Sequence, residues 1–252
     1  MNHSSLRYLF LHFGPGGNAD LERKWLSGYN SKVDFWDQPK DVSSFSELVH
    51  RCAERYRVGG YHGIIAHSFG CDLALKIADL LSGSQPKLIL ISPLRDVPKA
   101  FVSLAQHLAD ETVSQERTHQ LRLALESVQS GGSRLDAFTQ LAKVIGADPL
   151  YYRRFWAQPQ KLKAFETVAV ELTPLDVKCW QTILVDLILN YQMALNGKKA
   201  QVYMGAKDPY YGLIRDEETY WKSSGADVSL IENAGHYPHL ESDLFGQILG
   251  DS

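Results

Sequence analysis

With 252 residues, 44% of them hydrophobic and 22% charged, the chain is long enough for one α/β domain with an insertion and too ordinary in composition to be disordered. A formal net charge of −3 offers no clustered basic face for nucleic acid or an anionic membrane; only Tyr152-Arg153-Arg154-Phe155 hints at one, and it reads as a solvated helix edge. Three widely spaced cysteines, Cys52, Cys71 and Cys179, argue against a disulfide framework, no apolar run approaches the roughly eighteen residues of a membrane span, and Met1 to Leu6 lacks the regions of a signal peptide, so a cytoplasmic location is expected.

The first predicted element is a strand over Leu6 to Leu11, followed at once by His12-Phe13-Gly14-Pro15-Gly16-Gly17. A glycine-rich backbone can turn its N–H groups toward one point, which suits the negative oxygen of a tetrahedral intermediate. The same loop also fits G-x-G-x-x-G/A, with Asp34 about twenty residues on, as a dinucleotide fingerprint asks. Pro15 removes an N–H from that turn, and a dinucleotide reading leaves the chemistry further along unexplained. No cofactor is expected.

A helix over Ala19 to Ser27, a strand over Val33 to Trp36 and a helix over Phe45 to Tyr56 come next. The run Tyr61 to Ala66 then reads as a buried strand, and the residues from Cys71 to Leu81 as a helix. Between them lies Ala66-His67-Ser68-Phe69-Gly70, a serine between small residues where strand gives way to helix, which is how a nucleophile elbow is built. Ala66 stands where the G-x-S-x-G pattern has its first glycine, and the bland alternative makes Ser68 no more than a helix N-cap. A strand over Leu88 to Ser92 closes this half, and strands alternating with helices imply a parallel sheet with helices on both faces.

From about Leu94 to Gly197 the alternation stops and helical periodicity takes over, as expected of an inserted helical cap over residues 94–197 on a core of residues 1–93 and 198–252. Phe101, Leu104, Ala105 and Leu108 share one helical face, and Val177, Trp180, Ile183, Leu184, Leu187, Ile188 and Tyr191 form a longer stripe; most of this reads as core packing. Gln129-Ser130-Gly131-Gly132-Ser133 reads as a joint between cap helices. Tyr151, Tyr152, Phe155 and Trp156, the densest aromatic cluster, are the candidates for lining an apolar substrate pocket, with Tyr210 and Tyr211 at its mouth.

A strand over Ala200 to Met204 leads into Gly205-Ala206-Lys207-Asp208-Pro209, and a strand over Asp227 to Ile231 leads into Asn233-Ala234-Gly235-His236. Serine needs a base, and the base an orienting carboxylate, so Ser68, Asp208 and His236 stand in the order such a relay requires. Asp96, just after the strand ending at Ser92, is the alternative carboxylate. A metal site has little support: His236 and His239 are close in sequence, but no glutamate completes H-E-x-x-H and no cysteine or aspartate cluster joins them. His239 is expected at a helix start or on the surface, His67 beneath the nucleophile, and His12 bonded to the glycine-rich loop.

At this point the chain resembles the α/β-hydrolase superfamily over nearly its whole length. The resemblance rests on Ser68 in the elbow, Asp208 after the penultimate strand, His236 in Gly235-His236-Tyr237-Pro238-His239-Leu240-Glu241, and His12-Phe13-Gly14-Pro15-Gly16, which is similar to the H-G-x-P-G oxyanion loop with Phe13 where glycine is usual. It implies an α/β-hydrolase fold with a helical cap, a Ser68-His236-Asp208 triad, and an oxyanion hole from the N–H groups of Phe69 and Gly14, with Phe13 as second choice to Gly14. The implied activity is a serine hydrolase acting through an acyl-enzyme on an ester or thioester of a small, largely apolar molecule. Carbon–carbon bond hydrolysis or a lyase step is open to the same triad, and so is a hydrolase-fold ligand receptor with little turnover. Nothing in the sequence bears on oligomeric state.

Overall fold

A computed structural model describes residues 7–81, 85–111, 114–129, 133–148 and 150–250 of the chain. The central part of the Gln129 to Ser133 joint lies outside the described residues. Six strands, β1 (Tyr8–Leu11), β2 (Val33–Phe35), β3 (Gly63–His67), β4 (Lys87–Ile91), β5 (Ala200–Gly205) and β6 (Asp227–Ile231), form one sheet in the order β2-β1-β3-β4-β5-β6. Every neighbouring pair is parallel.

Side chains of a strand alternate between faces, so a sheet buried on both sides needs strands that are apolar throughout. β1 is buried at all four positions and β3 at all five. Leu9, Leu11, Ile64, Ala66, Leu88 and Leu90 join one core with α2 (Phe45–Gly59) and α3 (Gly70–Leu80). Their sequence neighbours Tyr8, Phe10, Ile65, Ile89 and Ile91 join the opposite core, which Leu244, Phe245 and Leu249 of the C-terminal turns complete. Helices therefore flank both faces.

The elements lie within one to three residues of the sequence boundaries. α1 runs over Asp20–Trp25, α2 extends to Gly59 where the sequence suggested Tyr56, and α3 begins at Gly70. The longer α2 ends on Gly60 at φ 63, the left-handed conformation that closes a helix. Its start is fixed by Ser44, whose hydroxyl accepts from the Glu47 N–H at 3.1 Å.

Between β4 and β5 the described residues form no strand. They hold α4 (Val97–Glu111), α5 (Gln115–Gln129), α6 (Arg134–Gly146), a short 3-10 turn at Tyr151–Phe155, α7 (Pro159–Val168) and α8 (Val177–Asn190). Leu104, Ala105, Leu108, Leu121, Leu141 and Ile145 pack in a second core that Leu21, Tyr237 and Leu240 share. α8 is tied back to the sheet layer: the Phe45 N–H donates to Asp186 at 2.7 Å, and the Asp176 N–H donates to the Gly16 carbonyl at 2.9 Å. Among the described residues no helix is long and apolar enough to cross a membrane.

Candidate active site

Parallel strands place all their carboxyl ends on one edge, where β1, β3, β5 and β6 each release a loop toward the same point. The loop after β3 is the tightest. Ser68 has φ 55, in the left-handed region that an L-residue with a side chain rarely adopts. This strain is held by a hydrogen bond from the Ser68 N–H to the Ile91 carbonyl at 2.9 Å and by the immediate start of α3. Gly70 explains the small residue there: a Cβ would lie 2.3 Å from the Leu11 carbonyl oxygen, so only glycine lets α3 run this close to β1.

Ser68, Asp208 and His236, 168 and 28 residues apart in their two contacts, meet at this edge. His236 Nδ1 lies 2.7 Å from Asp208 Oδ2, and His236 Nε2 lies 2.9 Å from Ser68 Oγ. An ionised carboxylate only accepts, so Nδ1 carries the proton and Nε2 offers its lone pair to the serine hydroxyl. Asp208 is itself positioned by the Tyr210 N–H, which donates to its other oxygen at 3.0 Å. All three side chains are buried.

Asp96 is elsewhere. It accepts from the Lys99 N–H at 3.1 Å at the start of α4 and pairs with Arg134 at 2.8 Å. Asp34, which the dinucleotide fingerprint would need, sits opposite Leu9 in mid-strand and is engaged by Arg55 and Tyr61.

The glycine-rich loop faces the serine. His12 Nδ1 donates to the Phe13 carbonyl at 2.9 Å, and its Nε2 accepts from the Gln38 N–H at 3.1 Å. One ring nitrogen must donate and the other accept, which defines a neutral imidazole bracing the loop. Gly14 has φ 60, and the N–H groups of Phe13, Gly14 and Phe69 donate to no protein acceptor among the described residues. All three residues line the same cavity as Ser68 and His236.

That cavity measures about 520 Å³. Tyr151, Phe155 and Tyr210 line it. Tyr152 and Trp156 do not, which corrects the sequence reading. The 3-10 turn aims Tyr151 and Phe155 one way and their neighbours the other: the Tyr152 hydroxyl donates to Glu166 at 3.1 Å, while Trp156 stacks on Tyr237 at 4.8 Å and leans on Trp25 and Phe165. Tyr211 is also absent from the lining and donates instead to the Pro93 carbonyl at 3.0 Å.

The sequence reading passed over the cavity's other walls. Val177, Trp180 and Leu184 of α8 line it, as do Phe101 of α4 and Tyr237 beside the catalytic histidine candidate. The i, i+3, i+7 spacing of the α8 residues was the available signal, but periodicity marks an apolar face without telling whether protein or a cavity covers it. Glu241 was also missed. It accepts from the N–H groups of Ala157, Gln158 and Gly235, stitching the segment after the 3-10 turn to the His236 loop, and the His236 N–H donates to the Phe155 carbonyl at 2.8 Å.

His239 is not at the surface: it is 1% exposed near the start of a short helix, Pro238–Glu241, its Nε2 3.4 Å from Glu22. His67 lies beside it and donates from Nε2 to the His236 carbonyl at 2.8 Å. Burial penalises the imidazolium and holds His12, His67 and His239 below the ordinary value of 6.5, His67 well below it. As pH falls below about 6.5, the unfolded chain takes up protons there that the folded chain refuses, so stability declines on acidification. Asp72 and Glu241 oppose this, since burial raises both carboxyls and the folded chain keeps protons that the unfolded chain has released. Replacing the two carboxyls by amides, Asp72→Asn and Glu241→Gln, removes their contribution and leaves that of the three histidines. Each histidine contributes a slope of at most roughly 1.4 kcal/mol per pH unit. Urea unfolding of that double variant should therefore give a lower stability at about pH 5.5 than at about pH 7.5; a flat or inverted trend would contradict the neutral assignment.

No protein-family model matches the chain, and no curated protein matches it. Solved structures do. A proline iminopeptidase-related protein from Thermus thermophilus superposes with a TM-score of 0.65 at 19% identity, over 98% of this chain and 89% of that one. An esterase from Exiguobacterium antarcticum gives 0.56 at 14% identity over 98% and 91%. The 2-hydroxy-6-oxo-6-phenylhexa-2,4-dienoate hydrolase from a Rhodococcus species gives 0.59 at 15% identity over 97% and 89%. At these identities the likeness is one of fold, and the fold is that of the α/β hydrolases.

Proposed function

We propose that the chain is a serine hydrolase that cleaves a carboxylic ester or thioester of a small, largely apolar substrate. The observation that carries this reading is the line of contacts from Asp208 through His236 to Ser68, ending in an apolar cavity. Ser68 Oγ attacks the carbonyl carbon as His236 Nε2 takes its proton, and Asp208 holds the Nδ1–H tautomer and stabilises the imidazolium that forms. The N–H groups of Phe69 and Gly14, with Phe13 next in line, receive the oxyanion; each such donor contributes about 3 kcal/mol to the transition state. His236 then protonates the leaving group, and a water that it activates releases the acyl group from Ser68.

In this reading the helices between β4 and β5 act as a cap, with α4, α6, α8 and the 3-10 turn closing the cavity above Ser68. Excluding water there strengthens every electrostatic contact with the developing charge. The neighbours in fold include both an esterase and a 2-hydroxy-6-oxo-6-phenylhexa-2,4-dienoate hydrolase. Ester or thioester cleavage is preferred because it asks nothing beyond the relay and the oxyanion donors.

Fluorophosphonate labelling tests the reading. A hydroxyl activated by His236 is modified, so wild-type protein should be labelled at Ser68, and the Ser68→Ala variant should not. Resistance of wild-type protein, together with retained binding of small apolar molecules, would make the chain a receptor instead.

A further inference from the structure

The walls of the Ser68 cavity hold no aspartate, glutamate, lysine or arginine among the described residues. Apart from Ser68 and His236, the side chains lining it that carry a polar atom belong to Tyr151, Tyr210, Tyr237 and Trp180, the last through its indole N–H. The three tyrosines surround one residue: their ring centroids lie 5.7, 5.2 and 6.4 Å from that of Phe155. Tyr210 also packs edge-on against the His236 ring at 4.8 Å, and Tyr237 does so at 5.7 Å.

Their hydroxyls make no hydrogen bond to protein among the described residues, and none of the three oxygens is fully buried. Their chain neighbours Tyr211 and Tyr152 are satisfied: Tyr211 donates to the Pro93 carbonyl and Tyr152 to Glu166. A donor left unpaired in a largely apolar enclosure loses about 1–3 kcal/mol, which an occupant bearing an acceptor recovers. Burial raises all three phenols above their ordinary value of 10, so they remain neutral donors throughout the range in which an imidazole base works.

Resting on the serine hydrolase reading, we infer that Tyr151, Tyr210 and Tyr237 form a subsite for a second oxygen on an uncharged acyl group, a ketone carbonyl beyond the bond that Ser68 attacks. A ketone oxygen takes up to two donors and asks for no acceptor in return, which matches phenols set among hydrocarbon walls. A carboxylate is a poor occupant, because burying it without a cation costs several kcal/mol and no cationic side chain lines these walls. A plain alkyl chain fits the volume but leaves the phenols unpaired, and a site built around hydrogen bonds discriminates against such an analogue more sharply than against a change in length.

The experiment uses the full chain and three sets of p-nitrophenyl esters of matched acyl length: keto acyl chains with the ketone at successive positions, alkyl chains, and chains ending in a carboxylate. The best keto ester should exceed its alkyl counterpart in kcat/KM by about tenfold or more, with the carboxylate ester slowest. At least two of Tyr151→Phe, Tyr210→Phe and Tyr237→Phe should lower the keto-to-alkyl ratio by about fivefold or more, a readout that general loosening of the fold does not move. Equal rates for keto and alkyl esters, a preference for the carboxylate, or an unchanged ratio in two or more of the variants would overturn the subsite. Fluorophosphonate labelling of the same wild-type preparation separates the two levels: labelled Ser68 with no keto preference sinks this inference alone, and unlabelled Ser68 sinks the hydrolase reading beneath it.

Discussion

Ser68→Ala and His236→Ala are each expected to lower kcat by about 10⁵-fold, and the double variant should be no slower than either single one. The reason lies in the shared proton. Ser68 Oγ and His236 Nε2 are 2.9 Å apart, and in the proposed mechanism the hydroxyl becomes a nucleophile only as the imidazole takes its proton, so removing either partner removes the whole step. A residual rate from the oxyanion donors and the apolar walls should survive, about 10³-fold over water, because those groups do not depend on the relay. Single-turnover kinetics on an activated ester measure this. Losses that multiply in the double variant would show two groups acting independently and would dissolve the relay.

Asp208→Asn is expected to cost about 10⁴-fold in kcat while leaving the protein folded. Asparagine has nearly the same shape, but its amide can present a donor to His236 Nδ1, which favours the tautomer with the proton on Nε2, facing Ser68 the wrong way. Asp208 also accepts from the Tyr210 N–H on its other oxygen, a bond the amide oxygen can keep, so the variant isolates the tautomer from the loop. Asp96→Asn should change kcat by less than about twofold, since Asp96 caps α4 and pairs with Arg134 on a partly exposed surface, and its loss belongs to the ~1 kcal/mol scale of caps and surface ion pairs. The steady-state comparison of the two variants decides the acid; the reverse ranking would move it to Asp96.

Much of this candidate site is legible in the sequence. The alternation of apolar runs with helical patterns placed β1, β3, β5 and β6 in one parallel sheet, and parallel strands leave their loops on one edge whatever the details of packing. Ser68 was recognisable from its neighbours, because a strand ending in Ala66 and a helix opening at Gly70 leave a single sharp turn between them. Asp208 and His236 followed from their places after the last two strands. The pocket was harder to read. The aromatic cluster from Tyr151 to Trp156 reads as one block in sequence, yet a 3-10 turn splits it between the cavity and the protein interior.

The remaining decisions belong to distance through space. Whether Val177, Trp180 and Leu184 bury their face in protein or leave it lining an opening depends on how far α8 stands from β3, and the Asp176 and Asp186 contacts to Gly16 and Phe45 set that distance. His239 shows the same limit, since its pattern suited a helix start while α1 brought Glu22 over it and closed it from solvent. The order of strands, the turn at Ser68 and the identity of the three candidate groups were determined by local sequence, because backbone sterics and apolar periodicity act over a few residues. Which side chains face the cavity, and which phenols are left without a partner inside it, was decided only when segments more than a hundred residues apart came into contact, because burial is a property of the neighbours a residue meets and not of the residue itself.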